Sequence, residues 1–155
     1  MRDKRDILLG INKEGAKYYY FQLRSEKGKS GYEYFKKREL TDETMQKFGL
    51  GFSNISSSDL VRYLKTKGYR EEQIIEAGLA THDEKFGTHD KFWNRVMFPI
   101  QAVNPIVVGF GGRVMGDGKP KYLNSPETMI FDKSHNLYGL NYAKNARAGH
   151  MIICE

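Results

Sequence analysis

The residues best equipped for chemistry lie in one stretch, Lys119-Pro120-Lys121-Tyr122-Leu123-Asn124-Ser125-Pro126-Glu127-Thr128. Lys121 offers a point charge to a phosphate. Tyr122 offers a ring on which a base or sugar can stack, and Asn124 an amide that can bond a base edge or a ribose hydroxyl. Two prolines stiffen the segment and lower the entropy cost of presenting these groups. Taken alone, the same residues suit an ordinary solvated turn equally well. Upstream lies Gly109-Phe110-Gly111-Gly112-Arg113. It is not a dinucleotide loop, because no helix opens behind the glycines to cradle a phosphate. Glycine within a strand marks a bulge or a close approach of another backbone. Two readings stand: a bulge that turns the sheet, or a gap through which a phosphate backbone reaches Arg113.

A second candidate surface runs from Lys17 to Arg38. It holds seven basic residues (Lys17, Arg24, Lys27, Lys29, Lys36, Lys37, Arg38) against two acidic ones (Glu26, Glu33). Tyr18, Tyr19, Tyr20, Tyr32 and Tyr34 are interleaved with them. Cations among aromatic platforms suit a single-stranded nucleic acid, and the competing reading is a solvated helix face with its tyrosines in the core. Metal and covalent chemistry find little support. His82, His89, His135 and His150 lack ligand spacing, and one cysteine cannot build a zinc cluster. Cys154 fits a small buried hydrophobe better than a nucleophile. Trp93 is expected as a core anchor.

The elements that must position these groups change character along the chain. The first half reads as helices: about Asp3 to Arg24, Tyr32 to Arg38 after a polar linker over Ser25 to Gly31, a third capped by Thr41 and ending near Gly49, a fourth from Ser58-Asp59 to Gly68, and a fifth from Glu71 to Ala77. After about Lys91, Arg95 to Ile100 and Ile106 to Phe110 read as strands joined at Asn104-Pro105. A short helix near Asn141 to Arg147 and an apolar last strand, Met151 to Cys154, follow. The expected fold class is α+β: an N-terminal helical part, then a small, mostly antiparallel sheet with short helices. Residues 1–149 are expected as one domain, mainly helical to about 90 and mainly β over about 91–149, with 150–155 starting another.

Composition sets outer bounds. The 155 residues fit one domain, and the net charge of +6 leans towards anionic partners without proving them. The lone cysteine excludes a disulfide framework within the chain and suits a cytoplasmic setting. No signal peptide is visible, and no run approaches the ~18 apolar residues needed to cross a bilayer, so no membrane partner is expected.

Several segments, in order and spacing, resemble bacterial-type (DnaG) DNA primase. They are Gly31-Tyr32-Glu33-Tyr34-Phe35-Lys36-Lys37-Arg38, Phe48-Gly49-Leu50-Gly51, Phe92 to Ile100, Gly109 to Val114, Pro120 to Thr128, and Leu137-Tyr138-Gly139-Leu140. The resemblance implies the N-terminal subdomain of the RNA-polymerase core, preceded in that family by a zinc-binding domain and followed by a TOPRIM domain. TOPRIM carboxylates there hold the Mg2+ or Mn2+ for nucleotidyl transfer, and Glu155 falls where their first glutamate stands. The resemblance therefore implies a nucleotidyltransferase part that is inactive alone, with no cofactor of its own. It implies that Lys121, Tyr122 and Asn124 bind the single-stranded DNA template, the RNA primer or a ribonucleoside triphosphate. Arg113 would face the cleft between this subdomain and TOPRIM and Lys133 would lie near the active site, with Arg38 and Arg95 as further basic groups. The replicative helicase would be a partner of the whole protein through another segment. The first thirty residues match only loosely. The alternative function is a stand-alone module for single strands or for a protein partner.

Overall fold

The computed structural model of the chain describes residues 3–102 and 106–132. The expected turn at Asn104-Pro105, the helix near Asn141 to Arg147 and the strand Met151 to Cys154 lie outside the described residues, as do Lys133, His135, His150 and Glu155.

Helix α1 (Lys4–Leu23) forms where the apolar spacing places it. Leu8, Ile11, Gly15, Tyr19 and Leu23 recur at steps of three and four residues and make its buried stripe. A 3-10 turn over Glu26–Gly28 leads into α2 (Lys29–Lys37). This helix starts three residues before the expected Tyr32, because Gly28 folds the chain tightly against Gln22, where a side chain would collide with the carbonyl. Thr41 caps α3 (Asp42–Lys47) as expected, its hydroxyl accepting from the Thr44 N–H at 3.1 Å. Helices α4 (Asp59–Thr66) and α5 (Glu71–Glu76) stop at Gly68 and Gly78, whose φ angles of 94° and 86° favour glycine.

Three strands lie in the half expected to be mainly helical: β1 (Gly51–Ser53), β2 (Ala80–Asp83) and β3 (Gly87–Asp90). β1 is too short to show alternation, and it exists because β4 (Arg95–Gln101) pairs with it, Gly51 opposite Met97 and Ser53 opposite Arg95. β2 and β3 form a separate hairpin whose polar tip reads as a loop. There the Asp83 carboxylate accepts from the Lys85 and Phe86 N–H groups at 2.6 and 3.0 Å, which holds it below its ordinary carboxylate value. β5 (Val107–Val114) and β6 (Tyr122–Asn124) complete an antiparallel sheet in the order β1-β4-β5-β6.

The sheet separates two cores. Val96 and Phe98 face Phe35, Met45 and Phe48 from α2, α3 and the turn after it. Met97 and Phe110 face Leu8, Ile11, Leu60, Leu64 and Ile74 from α1, α4 and α5. Successive residues Val96 and Met97 thus serve opposite cores, as alternate side chains of a strand do. Helices lead and antiparallel pairing follows, an α+β architecture. Trp93 is not a core anchor: it is 44% exposed, while Phe92 beside it is 0% exposed and takes the inward place.

Candidate nucleic-acid interface

β5 and β6 set Arg113 directly opposite Tyr122. Opposed residues share a face of a sheet and lie close enough to touch. Asn124 sits two residues on, opposite Gly111, on the same face. Farther in, α2 covers that face, with the Phe35 ring on Phe98 at 5.9 Å. The neighbouring Tyr34 reaches outward instead. The Arg113 guanidinium lies 5.0 Å from the centre of the Tyr34 ring, and that of Arg38, just past the end of α2, lies 4.7 Å away. The Lys121 ammonium stands 5.6 Å from the Tyr122 ring. The result is one cluster in which three cations gather around two aromatic rings.

Charges within the cluster are not neutralised by its own phenols. Burial raises the Tyr34 hydroxyl above its ordinary value of 10.0, and Tyr122 adds to the rise, whereas Arg38 and Arg113 pull it down. Tyr34 is therefore a neutral phenol at pH 7. Arg113 donates one N–H to the Val114 carbonyl at 2.9 Å. Its Nε–H is buried and has no acceptor among the described residues. A buried donor left unpaired costs about 1–3 kcal/mol, which an incoming anionic oxygen would recover.

The backbone behind these groups is pinned along its length. The Val114 N–H donates to the Lys121 carbonyl at 3.0 Å, and Phe110 and Ser125 exchange two bonds of 2.8 Å. The Thr128 hydroxyl accepts from the Ile130 and Phe131 N–H groups at 3.2 and 3.1 Å. The segment that reads as a stiff loop therefore holds a short strand, Tyr122–Asn124, with fixed ends.

Arg38, Arg113, Lys121, Tyr122 and Asn124 come together on this one side. Arg95 does not join them. It is 4% exposed and crosses the opposite face, donating to the Gly112 and Lys121 carbonyls at 3.3 and 3.4 Å. Burial lowers its guanidinium from the ordinary value. Gly112 leaves room for this crossing: a Cβ there would meet the Arg95 stem at 3.1 Å and the Met97 sulfur at 2.9 Å. Arg95 thus supports Lys121 from behind. Among the interleaved tyrosines only Tyr34 joins the cluster. Tyr19 is buried, Tyr18 packs on Tyr63 with centres 4.9 Å apart, Tyr20 carries Arg24 at 3.5 Å, and Tyr32 donates to Asp42 at 2.6 Å. Sequence reasoning named Tyr34 as one of five and could not single it out, since its place depends on the tertiary contact that brings α2 to Arg113 of β5. Among the described residues no group of three or more His, Cys, Asp or Glu side chains could hold a metal ion.

Comparison with known proteins settles the family. Residues 18–144 match the model of the DNA primase catalytic core, N-terminal domain. The chain belongs to that family. The DNA primase of Clostridium acetobutylicum is 45% identical over 152 residues, 98% of this chain and 25% of that protein. The DNA primase of Escherichia coli K12 is 36% identical over 156 residues, 99% of this chain and 27% of its own length. The chain spans about a quarter of the length of these curated relatives. A DnaG primase catalytic domain solved bound to single-stranded DNA superposes with a TM-score of 0.83 at 34% identity, over 92% of this chain and 47% of that one. The RNA polymerase domain of Mycobacterium tuberculosis primase DnaG, in complex with duplex DNA bearing a 6-nucleotide overhang, gives 0.83 at 32% identity, over 90% and 44%. The primase core N-terminal fold thus carries the basic-aromatic cluster, and among the described residues no helix is long and apolar enough to cross a membrane.

Proposed function

We propose that this primase-core domain holds the single-stranded DNA template, and the RNA primer or ribonucleoside triphosphate paired to it, for a nucleotidyl transfer whose metal-binding carboxylates lie elsewhere in the whole enzyme. The observation that carries this reading is the buried Arg113 Nε–H, without an acceptor among the described residues, on a side chain that meets the Tyr34 ring and stands opposite Tyr122 in the sheet. A phosphate oxygen completes that donor, and the flanking rings and cations suit the sugar-base side of the same nucleotide. Lys121 and Arg38 add charge, and Asn124 adds an amide for a base edge or a ribose hydroxyl. In this reading Lys133 matches a lysine near the active site of the family and Glu155 its first TOPRIM glutamate. The domain's contribution is proximity: it fixes the strand and lowers the entropy cost of alignment. Mg2+ or Mn2+, bound by TOPRIM carboxylates, would supply charge neutralisation at the transferred phosphate in the complete protein. Zinc belongs to an upstream domain of the family, and the helicase contact to a segment other than this one. The setting is the cytoplasmic replisome of a bacterium.

The test is binding of the purified chain to a fluorescein-labelled oligothymidylate, followed by anisotropy across a salt series. With about four basic groups on phosphates, log K should fall against log salt with a slope near −3, at roughly −0.7 per contact. An affinity indifferent to salt would sink the reading.

A further inference from the structure

The protein's only tryptophan, Trp93, stands 44% exposed on a rigid mount. Asn94 beside it adopts a left-handed φ of 54°. Its N–H donates to the Asn54 carbonyl at 2.8 Å, and its own carbonyl accepts from the Met115 N–H at 2.9 Å. These two bonds continue the β1-β4 and β4-β5 ladders one step past Ser53 and Val114. The backbone that carries Trp93 is thus an extension of the sheet, and it is tied to Met115, the residue that follows β5 and lies two beyond Arg113. On the other side the His89 ring meets the indole edge-on, with centres 5.8 Å apart at 84°. His89 is itself held, its ring nitrogen 3.2 Å from the Thr81 hydroxyl. Ile55, 76% exposed, follows Asn54 and widens the apolar surface at this end of the sheet.

A large flat ring fixed by its neighbours and left open to water fits a ligand with a flat face of its own. We propose that Trp93 is a stacking platform for a second base of the single strand held by the Arg113–Tyr122 cluster, so that the strand runs past the end of β4 and β5 towards the β2-β3 hairpin. This rests on the strand-holding function proposed above. Nucleic acid is favoured over a protein partner because the mount is continuous with the basic cluster and the chain carries a net charge of +6. Trp93 would act as a positioning residue: it touches the template and not the reacting atoms, and it adds affinity without adding a phosphate contact.

Because Trp93 is the sole tryptophan, its emission reports on this site alone. The experiment titrates the chain with a fluorescein-labelled oligothymidylate at low salt and follows anisotropy, then titrates an unlabelled oligothymidylate and follows tryptophan emission. The expected result is quenching that saturates at the concentration where anisotropy saturates. Trp93→Leu, which keeps apolar area without a flat ring, should weaken binding about tenfold with an unchanged salt slope, and Trp93→Phe should recover most of the loss. Normal anisotropy with unquenched emission, or Trp93→Leu binding as tightly as the parent, overturns the platform and leaves the strand-holding function standing, with Trp93 assigned to a protein partner. Absence of any DNA binding by the parent chain overturns both.

Discussion

Arg113 and Arg95 project from neighbouring strands, with Val96 opposite the first and Val114 opposite the second. A shift of one residue in register puts a side chain on the other face. Arg113 therefore reaches the Tyr34 ring, and Arg95 is spent on two carbonyls behind Lys121. Substitutions should separate the two roles. Lys121→Ala and Arg113→Ala should each weaken single-strand binding with little change in melting temperature, since partly exposed cations contribute little to stability. Tyr122→Ala should cost roughly 1–3 kcal/mol of binding per base stacked. Arg95→Ala should lower stability by about 2 kcal/mol, because buried carbonyls lose a charged donor. Paired melting and anisotropy measurements check this. An Arg95→Ala protein with parental melting but no binding would make Arg95 a ligand contact, against the geometry. The residue types were legible in the sequence as cations and rings suited to phosphates and bases. Their sorting was not, because an arginine at the first position of a strand carries no sign of which face it occupies, and Trp93 beside Phe92 carries no sign of which of the two is inward.

Among the elements, α4 depends on a carboxylate from outside itself. Asp90, at the end of β3, accepts from the Leu60 and Val61 N–H groups at 2.9 and 2.8 Å. Burial raises its carboxyl from 3.8 to about 6, opposed by those two bonds, which pull it down. The folded value lies above the ordinary one, so the fold prefers the protonated acid. The stability this group adds is full below about pH 4 and is lost as pH rises through about 6. Urea unfolding at pH 7 and pH 5 should show the parent gaining stability at the lower pH relative to Asp90→Asn, which cannot titrate. A gain at the higher pH would mean that the helix-end bonds outweigh burial. The five helices were legible because apolar steps, the Thr41 cap and terminal glycines are local signals. The strands β1, β2, β3 and β6 were not. Each has three or four residues, and three of them pair with partners chosen by tertiary contact or by a side-chain-tied turn. For β6, the prolines that flank it imitate a loop.

At the scale of the whole molecule, the chain covers about a quarter of its curated relatives and, among the described residues, offers no metal-holding group. In the proposed function the carboxylates that hold the metal belong to the TOPRIM part of the whole enzyme, so the polypeptide of residues 1–155 should bind single strands yet not polymerise ribonucleotides on a template with magnesium or manganese, which a primer-extension gel checks. Labelled RNA products from the pure chain would refute this. One consequence of the Arg95 crossing reaches the entire molecule. Its guanidinium joins the carbonyl of Lys121 to that of Gly112, and its stem passes through the gap that Gly112 leaves against Met97. The basic-aromatic face and the interior of the sheet are thereby joined through one side chain, so the Lys121 segment should show no melting step of its own. Warming should leave its grip on a template intact until the whole sheet gives way, and then remove it in the same cooperative event.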